Sequence, residues 1–244
     1  MNYKNYKAYD EDDFFEQYMA KRNRPNSANN ILEKPILDQL IQDVEGKDIL
    51  DLGCGDGKFG LELLSRKSRS YHGIEGSENM CALAVENLKN TDVRIECFDI
   101  EEYDYPKEKY DLIVSRLVFH YVQDLEGLFV KLHTCLRQEG ELVFSVEHPI
   151  ITSCYEAYHR KGRRENWIVD NYFESGERVN HWIGKNVIKY HKTIEEYFQI
   201  IQNTGFEVLA LRESKPDRKY FETPEEFERR MKIPLFMLFK LKKK

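Results

Sequence analysis

The residues best equipped for chemistry stand together at the end of one short apolar run. Ile49-Leu50-Asp51-Leu52 leads into Gly53-Cys54-Gly55-Asp56-Gly57, so three glycines alternate with other residues, with one aspartate at the strand end and another inside the turn. Phe59, Leu61, Leu63 and Leu64 then recur at helical spacing. This pattern predicts a buried parallel strand, a tight turn and the start of a helix. Glycine suits such a turn because it tolerates positive φ and lets a ligand reach the main chain without meeting a Cβ. In an open parallel sheet that place is the carboxyl end of the strands, where nucleotide-like cofactors bind.

The carboxylates bear on which cofactor. Gly55-x-Gly57-x-x-Gly60 also fits the dinucleotide fingerprint, and a nicotinamide-dependent oxidoreductase is the rival reading. Asp51 and Asp56, however, would repel a pyrophosphate. S-Adenosylmethionine carries no phosphate; its sulfonium and α-amino groups are both cationic and suit acidic neighbours. Leu50 to Gly57 resembles the first motif of the class I S-adenosylmethionine-dependent methyltransferases. The resemblance continues in order through Gly73-Ile74-Glu75-Gly76-Ser77, Phe98-Asp99-Ile100-Glu101 and Tyr110-Asp111-Leu112-Ile113-Val114-Ser115. The chain is also similar to small bacterial methyltransferases with a Ser-Val-Glu-His-Pro segment, here 145–149, and a Lys-Tyr-His segment, here 189–191.

Glu75 closes an apolar strand about twenty residues beyond the glycines, where an acidic side chain can accept both ribose hydroxyls. The resemblance implies Asp99 on the adenine amino group and Ile100 against the ring. It also gathers Gly53, Cys54, Gly55, Gly76, Ser77, Met80, Ser115 and Arg116 around the cofactor. His120 follows the fourth strand, at the crevice where strand order reverses. It can be read as a general base, an orienting donor or a packed histidine. Glu147 and His148 end the fifth strand, fixed by Pro149, and are further catalytic candidates. Whether either removes a proton or binds the acceptor is left open. Tyr18, Trp167, Tyr172, Trp182, Tyr190 and His191 are the candidate acceptor-side residues. No metal-ligand cluster is evident, and none is needed for methyl transfer. An S-adenosylmethionine-binding module without catalysis is a further alternative.

Around these groups the sequence predicts an α/β fold. The expected sheet is doubly wound, mostly parallel and seven-stranded, in the order 3-2-1-4-5-7-6 with strand 7 antiparallel. One domain, 1–244, is expected. Residues 1–30, rich in tyrosine and phenylalanine, would form a helical lid whose tyrosine faces the sulfonium by a cation–π contact. An insertion at 150–192 would form an acceptor-side hairpin, with Trp167 to Phe173 as one strand, a turn at 174–177 and Val179 to His191 returning. A basic loop at 160–164 precedes it. The helix from Asp124 is expected to run until Gly140 stops it. The apolar run Pro234 to Leu241 reads as the buried seventh strand, or else as a membrane-touching tail.

The chain has 244 residues and a net charge of −6, which argues against a general nucleic-acid binder. Five cysteines without a C-x-x-C pair and no leader-like start point to reduced thiols in the cytoplasm. No run is long enough to span a bilayer. After the fourth strand Ser115-Arg116-Leu117-Val118 stands where base-modifying enzymes of this fold carry an Asx-Pro-Pro-aromatic motif, so a small-molecule acceptor is expected, methylated on N or O. Oligomeric state is not written in the residues.

Overall fold

The computed structural model describes residues 4–154 and 166–244; the basic loop at 160–164 lies outside them. Strands β1 (Asp48–Leu52), β2 (Ser70–Glu75), β3 (Arg94–Cys97), β4 (Tyr110–Arg116) and β5 (Leu136–Glu147) run parallel in one sheet. Beyond a separate hairpin of β6 (Gly176–Trp182) and β7 (Lys185–His191), β8 (Phe206–Glu213) and β9 (Phe236–Lys243) complete it. The sheet order is β3-β2-β1-β4-β5-β9-β8. β9 is antiparallel to both β5 and β8. Setting the hairpin aside, this is the order expected from sequence.

The central parallel strands β1 and β4 are largely apolar because both faces are covered, whereas the edge strand β3 is polar and only half covered. One core layer holds Leu50, Ile113, Phe144 and Phe239 under α5 (Leu125–Cys135) and α7 (Ile194–Asn203). The opposite layer holds Ile49, Leu112, Val143 and Leu238 under α2 (Lys34–Ile41) and α3 (Lys58–Ser65). Alternation along each strand divides its side chains between these layers. The run ending the chain is the buried β9, with Met237 to Phe239 fully enclosed. Among the described residues no helix is long and apolar enough to cross a membrane.

Helix α1 (Asp12–Arg22) and a 3₁₀ segment over Asn5–Asp10 precede the sheet, and α4 (Glu78–Leu88) follows β2. A short α6 (Pro149–Thr152) follows β5, and α8 (Pro224–Met231) precedes β9.

Two local expectations are corrected. Trp167–Phe173 is not a strand; the hairpin is formed by β6 and β7, whose turn is Ile183-Gly184 at φ 52° and 78°. Two successive left-handed residues match the twist of a two-residue hairpin loop. Isoleucine rarely adopts that conformation, so the turn was hidden behind the Glu174–Glu177 segment. Gly140 does not end a helix either. α5 stops at Cys135 and Gly140 lies inside β5, while Glu139 takes the left-handed conformation at φ 68°. Leu136 already pairs with Tyr110, so sheet pairing overrides the helical pattern there.

Candidate active site

The cavity over the carboxyl ends of β1, β2 and β4 has a volume of about 1220 Å³. Single-ligand pockets span about 300–1,000 Å³, so this one has room for two reactants. Its floor is the turn after β1. Gly53 has φ 72°, and a Cβ there would meet Val118 Cγ2 at 2.3 Å. Gly55 has φ 57° and open space where its Cβ would be. The Cys54 side chain fills against Gly73, and burial pushes its thiol up, so it serves as a small wedge.

Two carboxylates face the turn. Glu75 accepts the Gly55 N–H at 2.9 Å and the Ser77 N–H at 3.0 Å. These bonds fix the carboxylate at the cavity edge and leave lone pairs on both oxygens. Asp51 accepts the Tyr71 hydroxyl on Oδ2 at 2.7 Å, while its buried Oδ1 has no hydrogen-bond partner among the described residues. Burial pushes this carboxyl up to about 6, against the pull of Tyr71 and Arg116. A cation in the cavity would supply what the orphaned oxygen lacks. A buried acid, a bare glycine turn and a glutamate with lone pairs to spare together fit S-adenosylmethionine.

Arg116 lines the cavity but is engaged. Its Nε and Nη2 fork onto fully buried Glu33 at 3.2 and 2.5 Å, and its guanidinium lies 4.7 Å from the Phe59 ring centre. Ser145 donates to the same carboxylate at 2.9 Å. Glu33 gave no signal in the sequence, because its partners lie 83 and 112 residues away.

Met80, Asp99, Ile100 and Gly76 also border the cavity. Ser77 stands behind it, capping α4 by accepting from Met80 N–H. Ser115 also stands behind, donating to the Leu52 carbonyl at 3.1 Å. Asp99 is held by Lys4 Nζ at 2.6 Å and Tyr6 Oη at 3.4 Å. The same N-terminal segment clasps β7, where the Asn5 amide exchanges bonds of 2.6 and 2.8 Å with the Ile188 backbone. Asp10 accepts from Ser77 Oγ at 2.7 Å. Tyr18 meets Tyr9 at 4.8 Å and Trp182 at 5.6 Å, edge to face. Residues 4–22 thus pass over the cleft from the Asp99 side to the hairpin.

On the acceptor side, His120 is buried and borders the cavity. Its Nδ1 accepts the Glu147 N–H at 3.3 Å. Burial holds the imidazole down at about 3. A neutral ring whose Nδ1 accepts must carry its proton on Nε2. Glu147 borders the cavity and pairs with Lys189 Nζ at 2.6 Å. Trp182 and Tyr190 also line it.

Four expected residues stand elsewhere. His148 is fully buried, accepts the Ile150 N–H at 3.1 Å and pairs with Glu213 at 2.9 Å, so it caps α6. His191 bonds to Thr152 Oγ1 at 2.8 Å and the Tyr172 carbonyl at 2.9 Å, at the base of the hairpin. The Tyr172 hydroxyl accepts the Ile194 N–H at 3.1 Å. Trp167 is half-buried in the irregular segment before β6 and does not border the cavity. Three of the four lie outside β6 and β7, and His191 ends β7 at the base of the hairpin.

The profile of a methyltransferase domain matches residues 19–211. An uncharacterized protein of Haemophilus influenzae is 31% identical over 217 residues, 84% of this chain and 85% of that one. A malonyl-[acyl-carrier protein] O-methyltransferase of Acetivibrio thermocellus is 30% identical over 195 residues, 79% of this chain and 65% of its own length. The crystal structure of an S-adenosylmethionine-dependent methyltransferase from Mesorhizobium loti superposes with a TM-score of 0.81 at 29% identity, covering 88% of this chain and 99% of that one. The nicotinamide reading of the glycine run therefore gives way. With the domain profile spanning most of its length, the chain belongs to the methyltransferase domain family and is an S-adenosylmethionine-dependent methyltransferase.

Proposed function

We propose that the protein methylates a nitrogen or oxygen nucleophile of a small-molecule acceptor held between His120, Glu147 and the β6–β7 hairpin. The observation that carries this reading is the continuity of the cavity. One space is bordered by Gly55 and Glu75 at one end and by His120, Glu147 and Lys189 at the other. The bound cofactor supplies a methyl group on a sulfonium, open to in-line displacement. The protein's task is to align the nucleophile in a dry pocket, which can lower the barrier by several kcal/mol.

Asp51 and Glu75 hold the cationic and ribose ends. The Nε2–H of His120 donates to the acceptor and orients it. This reading rejects His120 as the base, because its one lone pair is spent on Glu147 N–H and its basicity is low. Glu147, steadied by Lys189, receives the proton that an ammonium or hydroxyl acceptor must shed. Tyr9, Tyr18 and Trp182 close the roof against water. His148 supports the β5–α6 corner.

The test is release of S-adenosylhomocysteine on incubation with labelled S-adenosylmethionine and pooled small amines, phenols and carboxylic acids. Label is expected in a low-molecular-mass product, with turnover falling at least tenfold in Glu147→Gln. Label found only in protein or nucleic acid from an added lysate would overturn the reading.

A further inference from the structure

The inward face of the β6–β7 hairpin carries Arg178, Asn180, Trp182, Val187, Lys189 and His191, by the alternation of the two strands. The polar members of this face are engaged, with one exception. Arg178 donates from Nε to the Ser153 carbonyl at 3.0 Å. Lys189 meets Glu147, and His191 meets Thr152. Asn180 is 2% exposed and borders the cavity, yet neither Nδ2 nor Oδ1 has a hydrogen-bond partner among the described residues.

Exchanging the amide oxygen and nitrogen does not cure this, because both ends are unsatisfied. Burying such a group with its bonds unmet is costly, because it has given up water and gained no partner. Asn180 lies opposite Val187, so its cross-strand neighbour offers no polar atom. The charges beside it on that face, Arg178 and Lys189, are held by the Ser153 carbonyl and by Glu147. What the wall lacks is a neutral partner able to give one hydrogen bond and take another.

We propose that Asn180 reads the methyl acceptor. The acceptor it fits carries a flat edge with a donor and an acceptor side by side, as in a carboxamide, a lactam or a nitrogen heterocycle. This rests on the acceptor-side reading of the cavity given above. A site built to bond such an edge discriminates strongly against an analogue lacking it, because its own polar atoms are then left unpaired. Asn180 is a specificity-determining residue here; the reacting atom is held by His120 and Glu147.

Benzamide, methyl benzoate and benzoate, titrated by calorimetry into protein saturated with S-adenosylhomocysteine, test this. Wild type is expected to bind the amide at least tenfold more tightly than the ester or the anion. Asn180→Leu, of similar volume, is expected to erase that preference while changing affinity for S-adenosylhomocysteine less than twofold. Its melting temperature is expected to equal or exceed that of wild type, since an unmet polar group has been removed. Equal binding of amide and ester by wild type, a preference that survives in Asn180→Leu, or a clear fall in its melting temperature would overturn the role of Asn180 alone. Absence of binding by every probe, with S-adenosylhomocysteine still bound, would remove the acceptor-side reading as well.

Discussion

The Glu147 backbone N–H donates to His120 Nδ1 at 3.3 Å, and this one bond sets the chemistry open to the histidine. It ties the last residue of β5 to the turn after β4 and leaves the imidazole only a donor, on Nε2.

The pH dependence of turnover follows. His120 is neutral across the working range because burial holds it at about 3. The profile of kcat/KM should therefore show no limb near 6.5 that belongs to His120. His120→Asn, which keeps a donor, should retain more activity than His120→Phe, with a difference of roughly tenfold for one orienting hydrogen bond of about 1.5 kcal/mol. An acidic limb present in wild type and absent from both variants would assign the base to His120.

Cofactor affinity should weaken in acid through Asp51. Its carboxyl lies at about 6, and the cationic ligand favours the ionised form. Below that value S-adenosylhomocysteine affinity should fall, approaching tenfold per pH unit. Asp51→Asn should bind weakly and without that slope. Calorimetry between pH 5 and pH 8 reads both.

Asp51 and His120 contribute terms of opposite sign to stability against pH. Asp51 has a folded value of about 6, above its unfolded one near 4. The folded state holds its proton more tightly, so this term favours folding below about 4 and is lost as pH rises to about 6. His120 is depressed to about 3, so its term is present above its unfolded value near 6.5 and is lost as pH falls toward 3. Asp51→Asn removes the opposing term, so the loss of stability in acid should steepen by up to about 1.4 kcal/mol per unit between about pH 4 and pH 6. Urea unfolding of wild type and Asp51→Asn at pH 4.5, 6 and 7.5 measures it.

Glu33 and Arg116 form a buried bidentate pair with Ser145. Removing one member strands the other charge, at a cost of about 3–5 kcal/mol. Glu33→Ala should lower the melting temperature markedly. The double variant Glu33→Leu/Arg116→Met should recover most of that loss, which thermal denaturation will show.

The sequence announced much of this and withheld the rest for identifiable reasons. The glycine turn, Glu75 and the strand order were legible because each follows from local spacing: strand, glycines, an acid at the next strand end. β9 was legible from its unbroken apolar run. The acceptor side was not. Glu33 and Lys189 act through partners far away in sequence, and the significance of Asn180 and Lys189 depends on which hairpin residues face inward. A one-residue shift in register would reverse that face, and an isoleucine at positive φ concealed the turn that sets it. His148 looked catalytic beside Glu147, yet successive residues leaving a strand point apart, and it caps a helix instead.

Glu75, with Asp51, is expected to hold the adenosine cofactor on the bare Gly53–Gly57 turn. Calorimetric titration of S-adenosylhomocysteine into wild type and Glu75→Ala at pH 7.5 tests it most directly. Two hydrogen bonds to a charged group, at about 1.5–3 kcal/mol each, predict a loss of at least a hundredfold in the variant, provided its melting curve shows it folded. Affinity within twofold of wild type in a folded Glu75→Ala would contradict the account.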